Sequence, residues 1–405
     1  MRVLMLTWEY PPRIVGGIAR HAYALANALA RQGVEVQVVT APHPDAAPSE
    51  IATAAPAAEL SVYRSDEDSV KPLDFVAGIH QLGYSLLERA LPLMSGRAKP
   101  QVVHAHDWLV AYPARTLRHA FDLPLVTTIH ATEHGRNNGI HTPLQHYIHS
   151  IEAMAAGDAG RVIACSEFMS EEIQRVLGCP ADKVAVVPNG IEIERMAPPP
   201  GSTKQALAAF RRRYAGPDEQ LVLFVGRMVR EKGVAVLVEA VPAVLGQRPA
   251  TRFVLVGKGY SEGMEARAAA LGLRDRVRFT GFLPDDDVRR LYAVADAAVY
   301  PSLYEPFGIV ALEAMAAKVP LVTSDVGGFR EIVEHEVTGI TTWADNPESL
   351  AWGLLQVLSR PDLARRLVKA AYERVVSDYS WDRIAERTLE TYREARRASR
   401  ARRPS

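Results

Sequence analysis

The stretch AAVYPSLYEPFGIVALEAMA, residues 297–316, holds a short β-branched apolar run, a loop with two prolines, and a second apolar run at helical spacing. Read as strand, loop and helix, it makes one unit of an α/β fold. The helix starts near Phe307 and carries Glu313 about two turns in, eight residues after Glu305. In its first turn Gly308, Ile309 and Val310 would leave backbone N–H groups without intrahelical partners, ready for a phosphate. The two glutamates flank that position, and carboxylates accept from hydroxyls. Sugar hydroxyls on either side of a diphosphate are therefore the natural partners. The plainer alternative is one capping residue and one satisfied helical glutamate.

Outward from this unit the same rhythm recurs. RVLMLT, VEVQVVT, QVVHAH, PLVTTIH, RVIACS and KVAVVP fall in the first half, and LVLFVG, RFVLVG, VRFTG and PLVTSD join AAVYPS in the second. Continuous apolar strands separated by helical patterns indicate parallel sheets covered on both faces, an α/β doubly wound architecture. With 405 residues, 48% hydrophobic and 23% charged, the chain exceeds what one core normally supports, so two domains are expected. Residues 191–219, with three consecutive prolines and mixed charge, read as the connection between them, with a possible helix over Ala206–Tyr214. Residues 41–59 read as a flexible surface loop.

Lys+Arg and Asp+Glu both number 47, which provides no basic field for nucleic acid. Cys165 and Cys179 match neither a disulfide framework nor a zinc spacing and read as reduced thiols. The N-terminal apolar run is broken by Glu9 and two prolines, too short for a signal peptide or a membrane span, so a cytoplasmic location is expected. Six arginines between Arg393 and Arg403 close a helical pattern that begins near Trp381. A solvated helix end is the plain reading; contact with an anionic membrane surface would need a wider basic face.

Ligands of doubly wound sheets sit beyond the carboxyl ends of the strands, so the residues there are the candidates. After the first strand, Gly16 and Gly17 stand at the turn into an amphipathic helix, where glycine lets backbone N–H groups approach an anion; a tight turn would also explain them. The dinucleotide pattern G-x-G-x-x-G is absent, which argues against an NAD enzyme. His104 and His106 share one side of a strand, but no further ligand is seen at metal spacing, so no metal is expected. Asp107 reads as a helix N-cap. His130 ends a strand and reads as a hydrogen-bonding residue facing substrate, while Ser166 and Asn189 at equivalent ends read equally as caps or turns. In FVGRMVREKG, Arg227 follows a strand and Lys232 opens the next helix, a forked donor and a mobile point charge suited to a diphosphate.

Together these motifs resemble the retaining glycosyltransferases of the GT4 family. The likeness spans nearly the whole chain: Gly16 and Gly17, PNGI at 188–191, the Arg227/Lys232 pair, VGKG at 256–259, and the E-x7-E pair Glu305 and Glu313. It implies the GT-B fold, two Rossmann-like domains facing a central cleft: residues 1–195 for the acceptor, 196–380 for the nucleotide sugar, and a helix from 381 crossing back to the first domain. It implies that Glu305 contacts the donor sugar and Glu313 the ribose. Arg227, Lys232 and the backbone of Phe307, Gly308, Ile309 and Val310 would bind the diphosphate, and Phe282 and Leu283 would hold the base. His130, Arg227, Lys232 and Glu305 are the implied catalytic set, acting without a metal or other cofactor.

HAHDW, TIHATEHGRNNG and the W-E-Y-P-P opening look like glycogen and starch synthases. Their lysine-containing K-x-G-G loop is here RIVGG, with Arg13 as the candidate replacement charge. The implied reaction moves a hexose, glucose foremost, from a UDP or ADP sugar to a carbohydrate acceptor such as an α-glucan. Domain closure about the linker would exclude water. A lipid-directed glycosyltransferase, a sugar-nucleotide epimerase and a nucleotide-sugar sensor remain as rivals. Activity on vesicles, product without acceptor, and binding without turnover would respectively identify them.

Overall fold

The computed structural model describes residues 1–52, 58–66, 71–96 and 99–401. The chain forms two α/β units, residues 1–190 together with those from Trp381 on, and Ile191–Ser380.

The first unit holds an eight-stranded sheet. Its strands are β1 (Arg2–Leu6), β2 (Glu35–Thr40), β3 (Ser49–Ala52), β4 (Leu60–Arg64), β5 (Val102–His106), β6 (Leu125–Ile129), β7 (Arg161–Ala164) and β8 (Val184–Val186). They lie in the order β3-β4-β2-β1-β5-β6-β7-β8, all parallel except β3, which runs antiparallel to β4. β1 is central: Val3 stands opposite Val36 on one side and Val102 on the other, and Val3, Leu4, Met5 and Leu6 are all buried. A strand covered on both faces tolerates no polar alternation, which is why it reads as one apolar run.

The segment 41–59, expected as a loop, differs. Ser49 to Ala52 pair with β4, closing the sheet edge with an antiparallel strand. Small and polar residues there satisfy the backbone ladder without an apolar signature; residues 53–57 of that expectation lie outside the described residues.

The helix Trp381–Ala401 belongs to this unit, with Trp381, Ile384, Tyr392 and Ala395 in its core beside Val3, Val36 and Val126. Gly190 lies against it, since a Cβ there would fall 2.7 Å from the Trp381 ring. The helix's arginines are partly neutralised: Arg393 and Arg397 both pair with Glu390. Arg402 and Arg403 lie outside the described residues.

The second unit holds β9 (Gln220–Val225), β10 (Thr251–Val256), β11 (Val277–Gly281), β12 (Ala297–Tyr300), β13 (Leu321–Ser324) and β14 (Ile340–Thr342). Their order is β11-β10-β9-β12-β13-β14, all parallel. This is the doubly wound order, and the chain reverses direction across the sheet between β9 and β12. Residues 191–219, expected as the interdomain connection, lie wholly in this unit. They carry the helix Lys204–Arg211, which is capped by Thr203 accepting from Ala206 N–H and is anchored through Arg211 to Asp296.

Candidate active site

At the reversal point of the second sheet, the loops after β9 and β12 face each other. The loop after β9 carries Arg227 and a single 3-10 turn, Arg230–Lys232, followed by Gly233 in the left-handed region at φ 65°. A Cβ at Gly233 would lie 1.8 Å from the Pro301 carbonyl oxygen, so only glycine lets the two loops touch. Leu303 N–H donates to the Glu231 carbonyl at 2.8 Å and locks them together.

This closure delivers Lys232 to Glu305. Lys232 Nζ donates to Glu305 Oε2 at 2.7 Å, and Ser302 Oγ donates to the same oxygen at 3.0 Å. Glu305 is 5% exposed, so its charge is balanced inside the protein rather than by solvent. Arg227 remains exposed and pairs with Glu231 at 3.0 Å. Lys232 was expected at a helix start; it precedes the helix Val234–Gln247 by two residues.

Gly308 (φ 109°) precedes the helix Ile309–Ala316 and offers no side-chain cap, so the first-turn N–H groups are left for another acceptor. Gly328 N–H donates to the Glu305 carbonyl at 2.8 Å, and a Cβ at Gly328 would strike the backbone of Phe307 at 2.4 Å. Phe307 is buried and Ile309 and Val310 are half-buried. Glu313 accepts from the Tyr292 hydroxyl at 3.2 Å, and Tyr292 is bonded in turn to Tyr300 at 2.7 Å. Phe282 and Leu283 follow β11; Phe282 is exposed, with Lys258 Nζ 4.6 Å over its ring. Every residue the sequence assigned to a donor in this half thus lies at the carboxyl end of its sheet or on the helix that leaves it.

In the first unit the glycine loop has an occupant of its own. Glu9, 1% exposed, accepts from Val15 N–H at 2.7 Å and Gly16 N–H at 2.8 Å through Oε2. The Gly16 N–H expected to meet a ligand anion is therefore held by a carboxylate of the chain, while Gly17 opens the helix Gly17–Arg31. Burial pushes the Glu9 pKa up, against the pull of those two N–H groups. Arg13 lies over the Trp8 ring at 5.6 Å.

His130 is half-buried at the end of β6. Its ring stacks on His106 (centroids 5.5 Å apart) and meets His21 edge-on at 4.7 Å. His106 Nδ1 lies 3.2 Å from His130 Nε2. His21 Nδ1 is held by Asn189 Oδ1 at 2.7 Å, and His104 is bonded on both sides, to the Tyr392 hydroxyl and Thr128 Oγ1, each at 2.7 Å. Burial drives His21, His104 and His106 well below the usual imidazole range and His130 down to about 3, helped by Arg136. These shifts keep all four rings neutral at pH 7, a state in which each imidazole has one N–H donor and one acceptor nitrogen.

The expectation that no third histidine accompanies the 104/106 pair is overturned. His21 and His130, from separate elements, converge on His106, with ligand nitrogens within 4.8 Å of one another. Around tetrahedral zinc the ligand atoms stand about 3.4 Å apart, and the His106–His130 pair is already at 3.2 Å. Asp107 also departs from its expected role. It occupies the N-cap position of the 3-10 turn Trp108–Val110 but makes no cap bond; its Oδ1 accepts from His130 N–H at 2.8 Å. Burial raises its pKa to about 6. Ser166 does cap its helix, accepting from Met169 N–H at 3.0 Å. Glu9 and His21 carried no signal in the sequence beyond their nearness to the glycines.

Two doubly wound units of this kind define the GT-B class of fold. Residues 15–195 match the model of glycosyltransferase family 4, and residues 209–374 that of the glycosyl transferases group 1. An uncharacterized glycosyltransferase of Methanocaldococcus jannaschii is 38% identical over 97% of this chain and 98% of its own. A glycogen synthase of Mycobacterium tuberculosis is 35% identical over 100% of this chain and 97% of its own. Among solved structures, a sucrose-phosphate synthase from Thermosynechococcus elongatus superposes with TM-score 0.78 at 24% identity, covering 97% of this chain and 98% of its own. The chain belongs to the GT4 glycosyltransferases. It is a glycosyltransferase with glycogen synthases among its relatives. Among the described residues, no helix is long and apolar enough to cross a membrane.

Proposed function

We propose that the protein transfers a hexose, glucose foremost, from a nucleotide diphosphate sugar to a hydroxyl of an α-glucan, with retention at the anomeric carbon. The observation that carries the donor half is the Lys232–Glu305 contact of 2.7 Å at the reversal point of the second sheet, beside an uncapped helix N-terminus. A lysine with one of its three donors spent on a carboxylate keeps two for phosphate oxygens.

In this reading the bond between the anomeric carbon and the β-phosphate oxygen breaks, and the diphosphate leaves with the electron pair. Lys232, Arg227 and the N–H groups at Phe307 to Val310 stabilise the charge that develops there. The acceptor hydroxyl attacks from the same face, and its proton passes to the departing phosphate oxygen. Glu305 accepts from hydroxyls of the transferred sugar and Glu313 from the ribose, while Phe282 and Leu283 flank the base. His130, neutral and fixed through Asp107 and His106, is the first unit's group for a sugar hydroxyl. No step requires a metal or a further cofactor. The resemblance to glycogen synthases supports the α-glucan, and UDP and ADP are the candidate nucleotides.

The test is transfer by the purified protein from UDP-, ADP- and GDP-sugars to glycogen, maltose or lipid vesicles. Glucose incorporation into glycogen or maltose is the expected result. Transfer only to vesicles, or of a different sugar, would retain the donor site and overturn the substrate.

A further inference from the structure

At the far edge of the second sheet two indoles are presented to solvent. Trp343, the residue after β14, is 75% exposed, and Trp352, on the helix Pro347–Ser359, is 42% exposed. Both line one groove of about 530 Å³, together with His335, Asp325, Asn346 and Glu348. The chain has five tryptophans, and two of them, within ten residues of each other, line this one groove, Trp343 mostly and Trp352 partly open to solvent. Large aromatics left open to solvent mark recognition surfaces more often than packing accidents.

The groove is built rather than incidental. Trp343 N–H donates to Ser349 Oγ at 3.0 Å, and Ser349 N–H donates to Asn346 Oδ1 at 2.8 Å, which fixes the turn that carries the indole. His335 is held through Nδ1 by Thr341, whose N–H lies 3.1 Å away, and its ring stacks on Trp352 with planes 20° apart. Asp325 N–H donates to the Thr342 carbonyl at 2.7 Å, tying the loop after β13 to the same edge. The result is a surface that sets aromatic faces beside carboxylates and an amide.

We propose that this groove is a second carbohydrate site, separate from the donor site, which holds a pyranose chain against Trp343 and Trp352. The chemistry matches on both sides of the ring. The axial C–H groups of a pyranose form an apolar face that covers an indole, and its equatorial hydroxyls reach outward to acceptors such as Glu348 and Asp325. Asp325 is paired with Arg330 at 3.2 Å, so Glu348 is the carboxylate that disfavours an anionic ligand here. β14 stands two strands beyond β12, so the groove lies about 10 Å or more along the sheet from the Glu305 loop. A chain held there would be retained by the enzyme between transfers. That the chain is an α-glucan rests on the proposed reaction; the aromatic groove itself does not.

The experiment is affinity electrophoresis of the full chain in native gels with and without glycogen, for wild type, Trp343→Ala, Trp352→Ala and Trp343→Phe. Glucose transfer to maltose and to glycogen is measured in parallel. Wild type should be retarded by glycogen, both alanine variants should lose that retardation, and Trp343→Phe should keep most of it. Transfer to maltose should stay within about twofold in every variant, while KM for glycogen rises about fivefold or more in the alanine variants. Equal retardation of wild type and alanine variants overturns the site, and so does a wild type that glycogen does not retard. The maltose assay reports on the proposed reaction by itself, so the two can fail separately. A wild type that self-associates, with alanine variants that are monomeric and equally retarded, would overturn the carbohydrate site and reassign the groove to self-association.

Discussion

Lys232 Nζ and Glu305 Oε2 stand 2.7 Å apart although 73 residues separate them, and they meet only because Gly233 has no side chain to hold Pro301 away. The carboxylate is nearly buried and the ammonium mostly so. Removing either partner alone therefore perturbs both the site and the fold around it.

Lys232→Ala should lower transfer kcat/KM by about 10²–10³, the usual effect of deleting one preorganised donor to a developing charge. It should also cost about 2 kcal/mol of stability, since among the described residues Glu305 then keeps the Ser302 hydroxyl as its side-chain donor. Glu305→Gln should lose comparable activity with a smaller stability loss, because the amide oxygen still accepts from Ser302 and Lys232. Steady-state kinetics and thermal melts of the two single variants and the double variant decide this. Turnover within about threefold of wild type in Lys232→Ala would reject the assignment of the diphosphate to this residue.

Gly233→Ala tests the backbone beneath the same contact. A Cβ there meets the Pro301 carbonyl oxygen at 1.8 Å and forces a residue with φ 65° into a conformation that costs about 1 kcal/mol or more before the clash is counted. The loops must separate, and Lys232 moves with them. Donor KM should rise by about tenfold or more with a lowered melting temperature, whereas Gly272→Ala, with open space around its Cβ, should change stability alone. Equal donor KM in both variants would show that the loop closure does not position Lys232.

Glu9→Ala should loosen the glycine loop rather than abolish chemistry. Val15 and Gly16 lose their shared acceptor, and their N–H groups turn to water. If the loop contributes to donor binding, donor KM rises by about three- to tenfold while kcat changes less, a split that Glu9→Gln should partly reverse by restoring one acceptor oxygen. An unchanged donor KM in Glu9→Ala would remove Gly16 and Gly17 from the donor site.

Much of this architecture is legible in the sequence because buried parallel strands are continuous apolar runs and the donor motif is local. Glu305, Phe307 to Val310 and Glu313 fall within nine residues, so their spacing carries their geometry. Three strands escape that test. β3 (SEIA) and β14 (ITT) are short and polar, and β4 (LSVYR) is interrupted by Ser61 and Arg64. The histidine layer escapes for a different reason. His21 comes from the first helix, His106 from β5 and His130 from the end of β6, so no window along the chain contains them together, and only the parallel pairing of β5 with β6 brings the last two side by side. The same holds for Tyr392 on His104, a contact across 288 residues. Asp107 shows the limit of reading a strand-end acid as a cap: its positive φ of 63° turns the carboxylate away from the short turn it precedes and toward the His130 N–H.

That layer makes a prediction about pH. His21, His104, His106 and His130 all titrate below their ordinary range when folded, His130 at about 3. In the unfolded chain they bind protons near pH 6.5, so below that pH the unfolded state holds more protons and stability falls as the pH drops. Glu152 and Asp107 act in the opposite sense. Burial raises them to about 8 and about 6, so the folded state holds their protons and the stability they lend is lost as the pH rises through those values. Between about pH 4.5 and 6 the lowered imidazoles, His149 among them, outnumber the raised carboxyls Glu9, Asp107 and Glu152, so the unfolded state holds more protons and stability falls as the pH drops. Above about 6.5 Glu152, raised to about 8, still holds its proton in the folded state, and stability declines gently toward pH 8, by about 1.4 kcal/mol per unit for that one group. Calorimetric melts of the full chain should therefore peak near pH 6.5, fall steeply on the acid side and gently on the alkaline side. Glu152→Gln should flatten the alkaline limb and leave the acid limb steep. A melting temperature that stays level from pH 6.5 to 5 would mean that these histidines are not held neutral by burial, and His130 would then meet its ligand as a cation.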